Sequence, residues 1–279
     1  MKAFLLALLA LVLAAPAAVA QEPLGFEDDW SSVLRRIVQN DGRVAYDEVA
    51  GPDFDRTLAA IAAFDPSRLT TDDEKLAFWI NAYNTKMVEA IAARPNARNL
   101  ETQGLFDELF KSPVTVAGRE VTLDQIEHVI LRRQDGPAAL KRLAVREVTP
   151  LIHVGLNCAA LSCPQLWRAA LRPGRVQQQL QDAWDGWVRS RAFARLDGEV
   201  LVLSSLIDWF GRDFDLPTGD AGTLLARSCA DVRQRGWCGN DRQNVLLDRI
   251  QALKGLTAAE IKALPNVRFA YDWTVARAE

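Results

Sequence analysis

Residues 72–93, "DDEKLAFWINAYNTKMVEAIAA", form the longest periodic segment of the sequence and decide its fold class. Apolar side chains recur here at helical spacing: Leu76, Ile80, Tyr83, Met87 and Ile91. The pattern predicts a long, mostly buried helix with Asp72 or Asp73 as its N-cap. Its solvent-facing stripe is expected to contain Lys75, Ala82, Lys86 and Glu89.

Asn81 and Asn84 lie one turn apart on a stripe of this helix that is otherwise apolar. Buried amides need hydrogen-bond partners, and two kinds of partner are consistent with the sequence. The asparagines orient a catalytic imidazole, or they pin a neighbouring loop by bonding to its backbone.

The rest of the chain combines helical segments with short hairpins. Alternating apolar residues flank the dipeptides Ala117-Gly118 and Asp197-Gly198, which predicts two hairpins within residues 113–123 and 194–210. Thr122 and Gln125 form a capping-box pattern that opens a helix over 123–133. Helical periodicity returns over 165–192, and residues 266–276 form a predicted final strand. We therefore expect an α+β fold, a helix-rich single domain with short antiparallel hairpins and a small sheet.

The first twenty residues predict a secretory signal peptide. They contain one Lys, an apolar run and a small-x-small ending at Ala18-Val19-Ala20. We expect the mature domain to span residues 21–279 and to be periplasmic or secreted. No later segment has the roughly 18 to 20 apolar residues of a membrane span. With a net charge of −3 and arginines dispersed among acids, the chain has no nucleic-acid-binding pattern.

Residues 152–164, "IHVGLNCAALSCP", gather one of the two histidines and two of the four cysteines. Alternation over 148–158 predicts a strand with His153 and Asn157 on one side and Cys158 at its end. In an oxidising compartment the cysteines also predict two local disulfides, Cys158 with Cys163 and Cys229 with Cys238.

Several separated segments together resemble the domain-of-unknown-function 547 family. They are "KLAFWINAYNTKMVEAI", "LDQIEHVILR", "IHVGLNCAALSCPQL", "SSLIDWFGRDF" and "FAYDWTV", and they extend from about residue 70 to 275. The family is similar in its Cys, His and Asn content to thiol hydrolases of the papain and transglutaminase type. Leu151 stands where members of the family often have Arg, so an anion contact made by that Arg would be missing here.

These residues support the hypothesis of a thiol-dependent hydrolase or acyl-transferase acting on an amide-type bond in a peptide-like or envelope substrate. Cys158 would be the nucleophile, and His153 or His128 the base. Asn81 or Asn84 would orient the imidazole, with Glu127 as an alternative orienting group.

Two other readings remain open. A zinc site built from His128, His153, Cys158 and Cys163 has suitable ligand types, but its spacing matches no compact zinc signature. The sequence therefore predicts neither a metal nor a cofactor. The alternative function is a non-enzymatic envelope binding or scaffold module in which both cysteine pairs are structural disulfides.

Overall fold

One long helix, α3 (Asp72–Ala92), lies at the centre of a mainly helical fold. The computed structural model describes residues 23–236 and 241–278. The other α-helices, numbered in chain order, are α1 (Glu27–Ile37), α2 (Pro52–Ala63), α4 (Phe106–Phe110), α5 (Ala138–Lys141), α6 (Ile152–Gly155), α7 (Val176–Val188), α8 (Ser205–Trp209), α9 (Gly211–Asp215), α10 (Ala221–Gln234), α11 (Asp241–Gln251) and α12 (Ala258–Lys262). A π-helix covers Gln125–Leu131, and 3-10 turns cover Tyr46–Glu48, Pro66–Arg68 and Pro173–Arg175.

Helix α3 begins with a capping box. The Thr71 hydroxyl accepts the Glu74 backbone N–H, and the Glu74 carboxylate accepts the Thr71 backbone N–H. The N-cap is therefore Thr71 instead of Asp72 or Asp73. The predicted solvent-facing stripe is also wrong in part, because Ala82 and Lys86 are buried. The α3 helix is enclosed on all sides along its middle turns, and Lys86 retains an ion pair with Glu89 at 2.9 Å.

In the described part of the chain, five short strands form two small sheets. The hairpin of β1 (Val114–Val116) and β2 (Arg119–Val121) turns at Ala117 and Gly118, both at positive φ. In the second sheet, β3 (Ala194–Asp197) pairs antiparallel with β4 (Val200–Ser204), and β5 (Val267–Ala270) pairs parallel with β4. Both predicted hairpins and the helix-rich α+β class are confirmed.

Two apolar clusters meet at α6. The first surrounds α3 and contains Ile152 and Leu156, while the second lies between α7, the β3–β4 hairpin and α10 and contains Val154. Alternate side chains over residues 152–156 thus enter different parts of the core. Because the segment is buried on opposite sides, its apolar residues alternate along the chain, as in the strand predicted over 148–158. That prediction is wrong, since residues 152–155 form one helical turn.

Other predicted elements fared differently. The capping box of Thr122 and Gln125 is confirmed, but the helix that it opens becomes a π-helix. The helix predicted over 165–192 begins only at Val176, because Pro173 and the 3-10 turn precede it.

The predicted signal peptide lies outside the described residues. In residues 23–236 and 241–278, no helix combines the length and apolar composition that a membrane crossing requires.

Candidate functional site

Asn84 of α3 fixes the loop that carries the cysteines, residues 157–164, which we call the Cys158 loop. Its Nδ2 donates to the Gly155 carbonyl at 2.8 Å, and its Oδ1 accepts the Asn157 backbone N–H at 2.9 Å. One turn earlier, Asn81 makes the same pair of bonds with the backbone of Leu171. Both amides therefore bind backbone groups, and neither orients an imidazole as the triad hypothesis required.

Hydrogen bonds within the Cys158 loop also stabilise it. Asn157 donates to the Pro164 carbonyl at 2.8 Å and accepts the Ala159 N–H at 3.0 Å. Ala159 has a φ of 66°, a conformation that non-glycine residues adopt rarely and that often occurs at functional sites. The C-terminal segment, residues 271–277, closes the other side through the bonds Ala276 N–H to Ala159 O and Leu161 N–H to Thr274 O.

The Cys158 sulfur has two close polar neighbours. It lies 2.8 Å from the Cys163 sulfur and 3.0 Å from the Tyr271 hydroxyl. The Cys163 sulfur in turn accepts the Cys158 backbone N–H at 2.9 Å. Both cysteines are free thiols, so the predicted disulfide between them is not present. The other predicted pairing includes Cys238, which lies outside the described residues.

These neighbours make Cys158 the more acidic thiol of the pair. Burial alone would raise its pKa, but hydrogen bonds from Cys163, from Tyr271 and from the Ala160 backbone bring the pKa of Cys158 below its ordinary value. Burial and the neighbouring Cys158 raise the pKa of Cys163 well above its ordinary value. Cys158 is therefore the thiol of the pair that ionises more readily.

Cys158 opens into a cavity of about 230 Å³. Phe, Tyr and Trp rings form much of its wall: Tyr83, Phe106, Phe110, Trp209, Phe210, Tyr271 and Trp273. The titratable residues that line it, besides the tyrosines and the two cysteines, are Asp124, Glu127, His128 and His153. The cavity thus brings together Cys158, Glu127 and both histidines, whereas Asn81 and Asn84 lie outside its lining.

The π-helix supplies Glu127 and His128 to the cavity, as π-helical turns often do at functional sites. Burial raises the pKa of Glu127 to about 7, and Arg132 opposes this rise only in part. Within the described part of the chain, the Glu127 carboxyl group makes no side-chain hydrogen bond. It can therefore exchange a proton with a ligand near neutral pH.

A buried ion-pair cluster holds the two histidines. Asp213 Oδ2 accepts from Arg132 Nε at 2.6 Å and lies 2.9 Å from His153 Nε2. Burial opposes ionisation of Asp213, but its bonds with His153 and Arg132 hold the pKa of its carboxyl group below the ordinary value. Asp213 takes the orienting position that the sequence analysis gave to an asparagine or to Glu127.

Both imidazoles are neutral near pH 7. Burial lowers the pKa of His153, whose ring stacks on Phe210, and burial together with the Arg132 charge lowers the pKa of His128. Arg132 Nη1 lies 2.9 Å from His128 Nδ1; because a guanidinium only donates, the His128 proton is on Nε2. Among the described residues, neither ring is hydrogen-bonded to the Cys158 sulfur.

Residues 66–188 match the family model "Protein of unknown function, DUF547". The resemblance predicted from the sequence is confirmed over this segment, which contains α3, the π-helix and the Cys158 loop. Asp213 and Tyr271 lie beyond the matched residues. Neither the curated proteins nor the solved structures gave a match to the chain.

The sequence analysis missed Arg132, Asp213 and Tyr271. Tyr271 lies in the segment "FAYDWTV", which carries no signal that connects it with Cys158, and the charged residues of "GRDFD" carry none that connects them with His153. The four residues of the zinc hypothesis also separate into different groups: the two thiols are hydrogen-bonded to each other, and His153 is hydrogen-bonded to Asp213. In the described ranges, no three His, Cys, Asp or Glu side chains form a group that could hold a metal ion.

We expect Asn84→Ala and Asn81→Ala to lower the free energy of unfolding by similar amounts, about 2 to 4 kcal/mol, because each leaves two backbone groups without a partner. Only Asn84→Ala should also change the rate at which iodoacetamide alkylates Cys158. Urea unfolding and alkylation of the two variants test this expectation. An equal effect of both variants on alkylation would contradict the role of Asn84 in the Cys158 loop.

Tyr271→Phe should raise the apparent pKa of Cys158 by about one pH unit, because a hydrogen bond to a charged group is lost. The pH dependence of Cys158 alkylation measures this pKa. Tyr46→Phe is the matched control, since the buried Tyr46 hydroxyl has no hydrogen-bond partner among the described residues. The stabilisation by Tyr271 would be disproved if both variants titrated like the wild type.

Proposed function

We propose that this protein is a thiol-dependent hydrolase or acyl-transferase that acts on an amide-type bond, with Cys158 as its nucleophile. The position of Cys158 supports this most strongly. Its sulfur lies in the wall of the cavity and is hydrogen-bonded to Tyr271 and Cys163, and its pKa is lowered. A thiol with a lowered pKa supplies more thiolate before the substrate binds, so it depends less on a base to remove its proton. The absence of a direct bond between a histidine and Cys158 among the described residues is consistent with this mechanism.

In the first step, the Cys158 thiolate attacks the carbonyl carbon of the substrate and forms a carbon–sulfur bond. The electron pair of the carbonyl moves onto oxygen. The Nε2–H of His128 and the backbone N–H of Ala160, which faces the sulfur, are suitable donors to that oxygen. Collapse of the tetrahedral intermediate breaks the carbon–nitrogen bond and leaves a thioester on Cys158.

The departing amine needs a proton, and Glu127 is the group best suited to give it. Its pKa of about 7 leaves a substantial fraction protonated near neutral pH. The Glu127 carboxylate then takes a proton from water, or from an acceptor amine, as that nucleophile attacks the thioester. The carbon–sulfur bond breaks, and Cys158 leaves as the thiolate. His153 contributes indirectly, because its bond to Asp213 helps to position Arg132 and through it His128.

The aromatic wall favours an apolar group next to the scissile bond. With export by the predicted signal peptide, the substrate would be a peptide or a cell-wall-derived amide in the periplasm or outside the cell.

A second candidate function is a non-enzymatic envelope module. The 2.8 Å distance between the two sulfurs favours it, because little movement would be needed to join Cys158 and Cys163 in an oxidising compartment. In that case the thioester chemistry would not occur.

The decisive experiment compares a p-nitroanilide and a p-nitrophenyl ester of the same apolar acyl group. Wild-type protein should form a thioester with both, detected by intact mass and mapped to Cys158. Cys158→Ala should form none, and Cys163→Ala should still form it. Acyl transfer to Cys163, or unchanged labelling of Cys158→Ala, would contradict the proposal.

Glu127→Gln should affect the rates of the anilide and ester reactions differently. An anilide needs a proton on its leaving nitrogen, whereas nitrophenolate leaves without one. Cleavage of the anilide by the wild type should therefore fall as the pH rises through about 7, where Glu127 loses its proton. Glu127→Gln should slow the anilide reaction by roughly 100- to 10,000-fold and leave ester acylation nearly unchanged. Equal losses for both substrates would assign Glu127 a different role.

A further inference from the structure

A second cavity, of about 270 Å³, lies beside β3 and carries a concentration of positive charge. Four arginines from separate parts of the chain line it: Arg189 after α7, Arg191 in the following turn, Arg195 in β3 and Arg242 in α11. Arg195 is half-buried and the other three are exposed. No Asp or Glu is among the lining residues.

These arginines differ from others nearby in having no acidic partner among the described side chains. Ion pairs on neighbouring parts of the surface join Arg235 to Asp185, Arg249 to Glu199 and Arg268 to Asp197. Among the side chains that the structure describes, which do not include that of Asp241, no carboxylate is ion-paired with any of the four cavity arginines. Arg242 makes one 3.4 Å bond to the Leu196 carbonyl. Four like charges in one cavity repel each other, and a bound anion would relieve that repulsion.

The residue types indicate the kind of anion. Guanidinium groups present planar pairs of N–H donors that match phosphate oxygens, and they bind them more specifically than lysine does. Ser190, which also lines the cavity, accepts the Phe193 backbone N–H, so its hydroxyl proton remains available for a ligand oxygen. We propose that this cavity binds a phosphate group carried by a larger ligand.

The arginine cavity and the cavity that contains Cys158 both share lining residues with one groove. Arg191 and Arg195 line an adjoining groove together with Ser162 of the Cys158 loop, Tyr271 and Asp272. Tyr271 lines the catalytic cavity as well. A ligand bound through its phosphate would thus lie against the outer side of the Cys158 loop. The phosphate site itself does not depend on the proposed thiol chemistry, and its binding is measured without catalysis.

Inorganic pyrophosphate is the probe for the site, titrated by calorimetry at constant ionic strength against a chloride reference. Wild-type protein should bind it, and Arg191→Gln/Arg195→Gln should raise the Kd by at least about tenfold. Because Arg195 is half-buried, Arg189→Gln/Arg191→Gln provides a second test at exposed positions. Arg142→Gln/Arg175→Gln removes the same charge from two exposed arginines outside the cavity and should leave the Kd unchanged.

Vesicles distinguish a lipid headgroup from a soluble phosphate ester. Sedimentation with phosphatidylglycerol vesicles, but not with phosphatidylcholine vesicles, and its loss in Arg191→Gln/Arg195→Gln would identify a headgroup phosphate. Binding of pyrophosphate without vesicle binding would identify a soluble ligand. The proposal is overturned if the wild type binds neither, or if the control pair weakens binding as much as the cavity pairs do.

Discussion

The two hydrogen bonds that Asn84 makes to the Gly155 carbonyl and the Asn157 N–H are the constraint on which the candidate site depends. They join the central helix to α6 and to the start of the Cys158 loop, where the Asn84 and Asn157 side chains are buried. Gly155 allows this close approach, because a Cβ there would press against Leu180 and Ile80. With the loop held by α3, the C-terminal segment brings Tyr271 to Cys158.

The pKa of each titratable group in the site depends on its neighbours in a largely apolar cavity. Cys158 is surrounded by neutral hydrogen-bond donors that favour its thiolate, while Glu127 has no side-chain donor in the described residues and holds its proton to about pH 7. Asp213 remains ionised because Arg132 and His153 both contact it. One cavity therefore contains a thiol with a lowered pKa and a carboxyl group with a raised pKa.

Local pattern predicted much of the fold but only part of the site. Helical spacing found α3, and glycine turns between alternating residues found both hairpins. The same alternation failed over 148–158, because a single helical turn buried between two apolar clusters looks like a short strand. The sequence identified Cys158, Glu127, His128 and His153 as candidates, and all four line one cavity. It could not assign Asp213 to His153, 60 residues away, or Tyr271 to Cys158, 113 residues away, since only tertiary packing creates those contacts.

The redox state of Cys158 decides whether this residue can act as a nucleophile. The mature protein would be isolated from an oxidising compartment without reductant, alkylated, and analysed by intact mass and non-reducing peptide mapping. The account predicts that the peptide containing Cys158 carries the alkyl group, as a free thiol does. A complete disulfide between Cys158 and Cys163 in that preparation would contradict a cysteine nucleophile and favour the disulfide-stapled module.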